Sequence, residues 1–202
     1  MNRKIGVTSS WINMLAVLGF AVCMLTGLLQ GSYLTSMLIA FSFVPMMASF
    51  SHYAPAQAKV AGNAAMMFGA MYALCNLLVY FTQTTAVRLQ PLGAEALSLL
   101  DYSRFGLMFS WDLLGYCLMA IATFFAGLTV AVRSPADRWL RWLLLLHGVF
   151  APACFIMPML GLFTQNMAGG EWIGTALLLF WCAYFIPVGA LSARYFRHAP
   201  EA

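Results

Sequence analysis

Six stretches of this sequence stay apolar for about twenty residues at a time, which is the length a helix needs to cross roughly 30 Å of hydrocarbon. They run from about 12–29, 33–50, 60–82, 105–132, 140–163 and 172–191. In lipid every backbone N–H and C=O must be paired within the protein. Runs of this length therefore read as membrane-spanning helices. The expectation is an all-α integral membrane protein, a six-helix transmembrane bundle forming one domain over 1–202.

The balance of residue types excludes the soluble alternative. With 63% hydrophobic and 8% charged residues, there is too little charge to coat an apolar core in water. A net charge of +4 raises the question of nucleic acid, but the basic residues sit at the ends of the apolar runs, where membrane topology places them. No nucleic-acid partner is expected, and the lipid bilayer is the expected surroundings.

Orientation follows from the same residues. With a cytoplasmic N-terminus, Arg3, Lys4, Lys59, Arg133, Arg138, Arg141, Arg194 and Arg197 all fall inside, against Arg88 and Arg104 outside. This asymmetry predicts N-in/C-in, with multi-pass insertion in the cell inner (plasma) membrane. Trp11, Tyr53, Trp139, Trp142 and Tyr195 would then line the inner interface, and Tyr33, Tyr102 and Trp172 the outer one. The opening MNRKIGVTSSW resembles the start of a secretory signal. The run that follows is long enough to span and ends without a small-x-small cleavage site, so it is expected to stay as the first helix.

The polar residues within the runs carry the functional question. In the third run Gly69, Tyr72, Asn76, Tyr80 and Gln83 fall within an arc of about 80° at 100° per residue, which makes one polar seam. In the fourth, Asp112 is followed on its own face by Tyr116, Met119 and Thr123. Asp112 is the only carboxylate inside an apolar run. Its depth is about 10 Å from the outer face at 1.5 Å per residue, similar to that of Asn76. An acid at such depth costs on the order of 2.5–3.5 kcal/mol on insertion scales, so it should face the bundle and find donors, water or a proton.

The expected site lies between the third and fourth spans. Asp112 would take a cation or proton, Asn76, Tyr80, Gln83 and Tyr116 would orient a solute, and Arg88 and Arg104 would guard the outer mouth. The loop between these spans is the one sizeable loop, with a short interfacial helix expected over 92–100, after Pro91. The competing view makes the seam interhelical glue, each hydrogen bond contributing perhaps 0.6 kcal/mol.

Other features point to less. The cysteines Cys23, Cys75, Cys117, Cys154 and Cys182 have no C-x-x-C spacing and read as small core residues. His52 and His147 both fall toward the inner side and would have to act together to ligate a haem iron or a metal, without a third ligand. No cofactor and no metal is expected. Motifs of hydrolases, nucleotide binding or redox chemistry do not occur, so an enzyme is not the favoured class.

Two further patterns bear on architecture. The strings FVPMMASF at 43–50 and IMPMLGLF at 156–163 share a Pro-Met pair and a terminal Phe, as 3+3 inverted halves would require. Gly19, Cys23 and Gly27 form a small-residue seam on the first helix, compatible with a contact inside one chain or with a homo-oligomer. Pro45, Pro152, Pro158 and Pro187 are expected to kink or break their helices. The leading expectation is a small-solute or ion transporter, or a subunit of one. The alternatives are a non-catalytic membrane assembly or sensor subunit and, further off, a membrane enzyme acting on a lipid or quinone.

Overall fold

The computed structural model describes residues 1–162 and 170–199, and within them every regular element is helical. The elements are α1 (Asn2–Thr26), α2 (Leu29–His52), α3 (Lys59–Thr82), α4 (Ala94–Leu100), α5 (Leu107–Thr129), α6 (Pro135–His147), α7 (Phe150–Met159) and α8 (Gly170–Arg197). Counting α6 and α7 together, six helices among the described residues are long and apolar enough to cross a membrane. This is compatible with a multi-pass membrane protein.

The spans close a ring in chain order. α1 packs on α2, α2 on α3, α3 on α5, α5 on α6 and α7, and α8 returns to α1 and α6. At the centre lie Phe43, Met46, Met47, Tyr72, Met119 and Phe185, all nearly or fully inaccessible. Phe43 meets the Tyr72 ring edge-on at 5.2 Å, an arrangement that aromatic quadrupoles favour. Leu15, Phe41, Leu74, Phe81 and Leu177 are exposed on the rim, as expected of a surface that faces acyl chains and not water.

Several boundaries differ from those read in the sequence. Helix α1 begins at Asn2 and not near Ile12. Its polar stretch stays helical because the Ser9 and Ser10 hydroxyls donate to the Gly6 carbonyl at 3.1 and 2.7 Å, so neither buries an unpaired group. The fifth span starts at Pro135 and not at Leu140, because Ser134 caps it by accepting from Asp137 N at 3.2 Å. Residues 135–139, which fall between the fourth and fifth apolar runs, are thus the first turn of α6. The expected end of that span at Phe163 lies outside the described residues.

Proline acts differently at each site. Helix α2 runs unbroken through Pro45, and α8 through Pro187. The fifth span does break, at Gly148 and Val149. Pro152 has no N–H to give the Gly148 carbonyl, and its ring crowds that carbonyl. The chain closes instead through shorter bonds, Val149 N to Leu146 O at 3.0 Å and Ala151 N to Gly148 O at 3.1 Å.

The small-residue seam of α1 is used within the chain. A Cβ on Gly19 would stand 3.1 Å from Thr35, and one on Gly31 would stand 2.7 Å from the Cys23 sulfur, so both contacts are between α1 and α2. Gly27 serves a different purpose: at φ 68° it is the left-handed cap that ends α1. Two residues assigned to aromatic belts also turn inward. Tyr195 is buried, with its hydroxyl accepting from Ala131 N at 3.3 Å and Arg133 over its ring, and Tyr33 is buried against Tyr80. Trp139 and Trp142 are exposed. The side chain of Trp172 lies outside the described residues.

Candidate functional site

The seam of α3 and the polar face of α5 meet. Glycine makes the approach close: a Cβ on Gly115 would stand 3.3 Å from that of Cys75. One turn outward, Asp112 is 3% exposed. The Tyr80 hydroxyl donates to its Oδ2 at 3.2 Å. The Tyr102 ring, from the loop between α3 and α5, packs on the Tyr80 ring at 5.9 Å. The partner of Asp112 is a phenol, which donates a hydrogen bond without supplying a compensating charge. Burial, and after it the negative charge of Asp112, push the Tyr102 phenol well above its ordinary range, so it stays a donor.

Asn76 lies one turn deeper and is 1% exposed. Its Nδ2 donates to Ser36 Oγ on α2 at 3.0 Å, while its Oδ1 has no hydrogen-bond partner. Buried amide carbonyls are rarely left unpaired, since the cost is about 1–3 kcal/mol. Asn76 Oδ1, like Asn13 Oδ1 on α1, is a buried acceptor without a partner among the described residues, and it lies on the same helix face as Tyr80.

Gln83 closes the end nearest the α3–α5 loop. It lies at the start of a π-helical turn, Gln83–Val87, which continues α3 outward, a distortion frequent at functional sites. Its Nε2 donates to Leu100 O at 2.8 Å and its Oε1 accepts from Tyr102 N at 3.0 Å. Both ends of the amide hold the loop that carries Tyr102. The short helix expected in this loop is α4, and the Asp101 carboxylate orders the turn after it by accepting from Ser103 N and Oγ at 2.9 and 2.7 Å.

Of the remaining expected residues, Tyr116 lies one turn further along α5 than Asp112, and the two arginines lie near the α3–α5 loop. Tyr116 is half-buried and meets Trp181 edge-on at 5.8 Å. Arg88 is exposed beyond the π turn. Arg104 is 53% exposed and stands 3.7 Å from Asp101, an ion pair of a kind worth little in stability. The structure therefore gathers Asp112, Tyr80, Gln83 and Asn76 into one buried group, with Arg88 and Arg104 at its outer periphery.

Three participants were not read from the sequence as part of the site. Tyr102 had been placed in the outer aromatic belt. Tyr33 packs its ring on Tyr80 at 5.3 Å, and Ser36 is the partner of Asn76. Ser32 and Ser36 stand four residues apart on α2 and are both buried, a helical spacing that could have marked this face.

A second buried polar group spans α5, α6 and α8. Trp181 Nε1 donates to His147 Nε2 at 3.0 Å, and His147 Nδ1 is 2.7 Å from Thr123 Oγ1. An indole N–H only donates, so Nε2 must accept, and the ring proton then sits on Nδ1 facing Thr123. The Thr123 hydroxyl passes its own hydrogen to Ala120 O or Met119 O, at 2.9 and 3.1 Å. His147 thus has no lone pair left for a metal. His52 has a different partner, Asn2 Nδ2 at 3.0 Å at the exposed end of α2, so the two histidines do not form a joint site. Among the described residues no three His, Cys, Asp or Glu side chains group as metal ligands.

No protein-family model matches this chain, and neither a curated protein nor a solved structure matches it.

Proposed function

We propose that the chain is a small-solute or ion transporter of the cell inner (plasma) membrane, or a subunit of one, with its site between α3 and α5. The observation that carries this is Asp112, buried in a helix long and apolar enough to span, with the Tyr80 hydroxyl as its hydrogen-bond partner. A carboxylate so placed needs a proton or a bound cation to offset its charge, and exchanging one for the other is the chemistry of a coupled carrier. The unpartnered Asn76 Oδ1 would add a neutral oxygen ligand for a cation or an acceptor for a solute N–H. Arg88 and Arg104 would stand at the entrance.

Both termini are placed on the cytoplasmic side in this proposal, on the basic-residue asymmetry. The 3+3 inverted relationship has weaker support, since Phe43, Met46, Met47 and Phe50 are buried whereas Ile156, Met159 and Leu160 are exposed. A second reading, a membrane assembly or sensor subunit, draws on Gln83, whose amide is wholly engaged in holding the loop.

Charge displacement in proteoliposomes on a supported membrane tests the proposal. Jumps in H⁺, Na⁺ or K⁺ should give a transient current in the wild type that Asp112→Asn removes while the protein still assembles. Equal currents from both proteins, or none from the wild type with any of the three, would overturn it.

A further inference from the structure

A groove of about 500 Å³ runs along the outside of the α1/α2 pair, away from Asp112. Its walls are Ile5, Thr8 and Ile12 on α1 and Leu38, Phe41 and Pro45 on α2, and Lys4 stands at its end. From Lys4 to Ile12 it extends about 12 Å along α1, at 1.5 Å per residue. Because α1 begins at Asn2, the Lys4 end is the membrane-surface end and the groove leads toward the middle of the span.

Apart from the Thr8 hydroxyl on its wall, the groove offers little that is polar. Ser9 and Ser42 line it, but Ser9 Oγ donates to Gly6 O at 3.1 Å and Ser42 Oγ to Leu38 O at 2.8 Å. Lys4 is exposed and has no side-chain partner among the described residues. A cavity of this volume lies within the usual range of roughly 300–1,000 Å³ for ligand sites. Its polarity runs from one free cation at the surface to hydrocarbon in depth, which is the complement of an anionic amphiphile.

We infer that this groove is a binding site for one anionic phospholipid, with an acyl chain along α1 and α2 and the phosphate against Lys4. A zwitterionic lipid would fill the same apolar channel, but its own ammonium competes for the phosphate and offsets the gain from Lys4. One lysine near a charged headgroup is worth about a five-fold preference. The site is separate from the one between α3 and α5, and the inference does not depend on the transport proposal.

Native mass spectrometry of the full chain, released from nanodiscs of equal phosphatidylglycerol and phosphatidylcholine, tests it. The wild type should retain one lipid, enriched in phosphatidylglycerol. Lys4→Gln should lower that enrichment about five-fold and leave a lipid bound. Thr8→Trp, which fills the channel from an exposed position, should lose the retained lipid at unchanged helix content by circular dichroism. Retention indifferent to headgroup in the wild type, retention unaffected by both substitutions, or a second copy of the chain in place of lipid would each overturn the assignment.

Discussion

The Tyr80 hydroxyl of α3 reaches Asp112 Oδ2 of α5 at 3.2 Å, and this bond ties the two helices together at a buried carboxylate within a spanning segment. Removing the hydroxyl alone should therefore be felt in the fold as well as at the site. Tyr80→Phe should destabilise the protein by about 1 kcal/mol, between the 0.6 kcal/mol average for interhelical bonds in membranes and the 1.5–3 kcal/mol for bonds to charged groups. Denaturation in mixed micelles, with Tyr72→Phe on the same helix as the control, measures this.

Gln83 makes a separable contribution. Gln83→Leu keeps the volume but removes the bonds to Leu100 O and Tyr102 N. It should speed amide hydrogen exchange around Leu100–Tyr102 by about ten-fold, the equivalent of roughly 1.4 kcal/mol of local opening. The core of α5 should be unchanged. Uniform acceleration across the whole chain would contradict a local clamp.

The close approach of α3 and α5 depends on Gly115. With Cβ already tight against Cys75, Gly115→Leu must push the helices apart and should cost about 1–3 kcal/mol by overpacking. The separation should also lengthen the Tyr80–Asp112 bond. Thermal unfolding in detergent gives the first effect, and the position of the Asp112 carboxyl infrared band gives the second.

The Trp181–His147–Thr123 group should behave as a structural unit. Trp181→Phe leaves Nε2 of a buried histidine without its donor and should cost about 1–3 kcal/mol. Thr123→Val removes the partner of Nδ1 in the same chain of bonds. The two substitutions share His147, so their effects should be non-additive in a double-mutant cycle.

Much of this was legible before any coordinates, and what was missed has physical causes. Apolar runs mark where lipid must be met, so the number of spans and the buried faces of α3 and α5 followed from hydropathy and the period of 3.6. Helix ends did not, because a helix continues wherever hydroxyls can turn back onto their own carbonyls, as Ser9 and Ser10 do. The break before Phe150 was visible only as Pro152, and α2 and α8 pass through prolines without breaking. Within the site, Asp112, Tyr80 and Asn76 shared readable faces. Tyr102 did not, since it reaches the Tyr80 ring through a loop whose path is set by Gln83 and Asp101. Trp181 and His147 are 34 residues apart, and nothing local in the chain brings them together.

Sidedness is open to a direct check. Single cysteines at Arg88 and Arg197, in a background with the native cysteines replaced, should react oppositely with an impermeant maleimide added to intact cells. Labelling at 88 and protection at 197 is the expected outcome for N-in/C-in.

The most direct test of the account is difference infrared spectroscopy of Asp112 in nanodiscs, with Asp112→Asn to identify its carboxyl band. Stepwise addition of H⁺, Na⁺, K⁺ and small cationic solutes should shift or abolish that band with one of them, and Tyr80→Phe should displace it. A band that stays fixed across the whole series would contradict a transport role for this carboxylate and leave it as a structural acid joining α3 to α5.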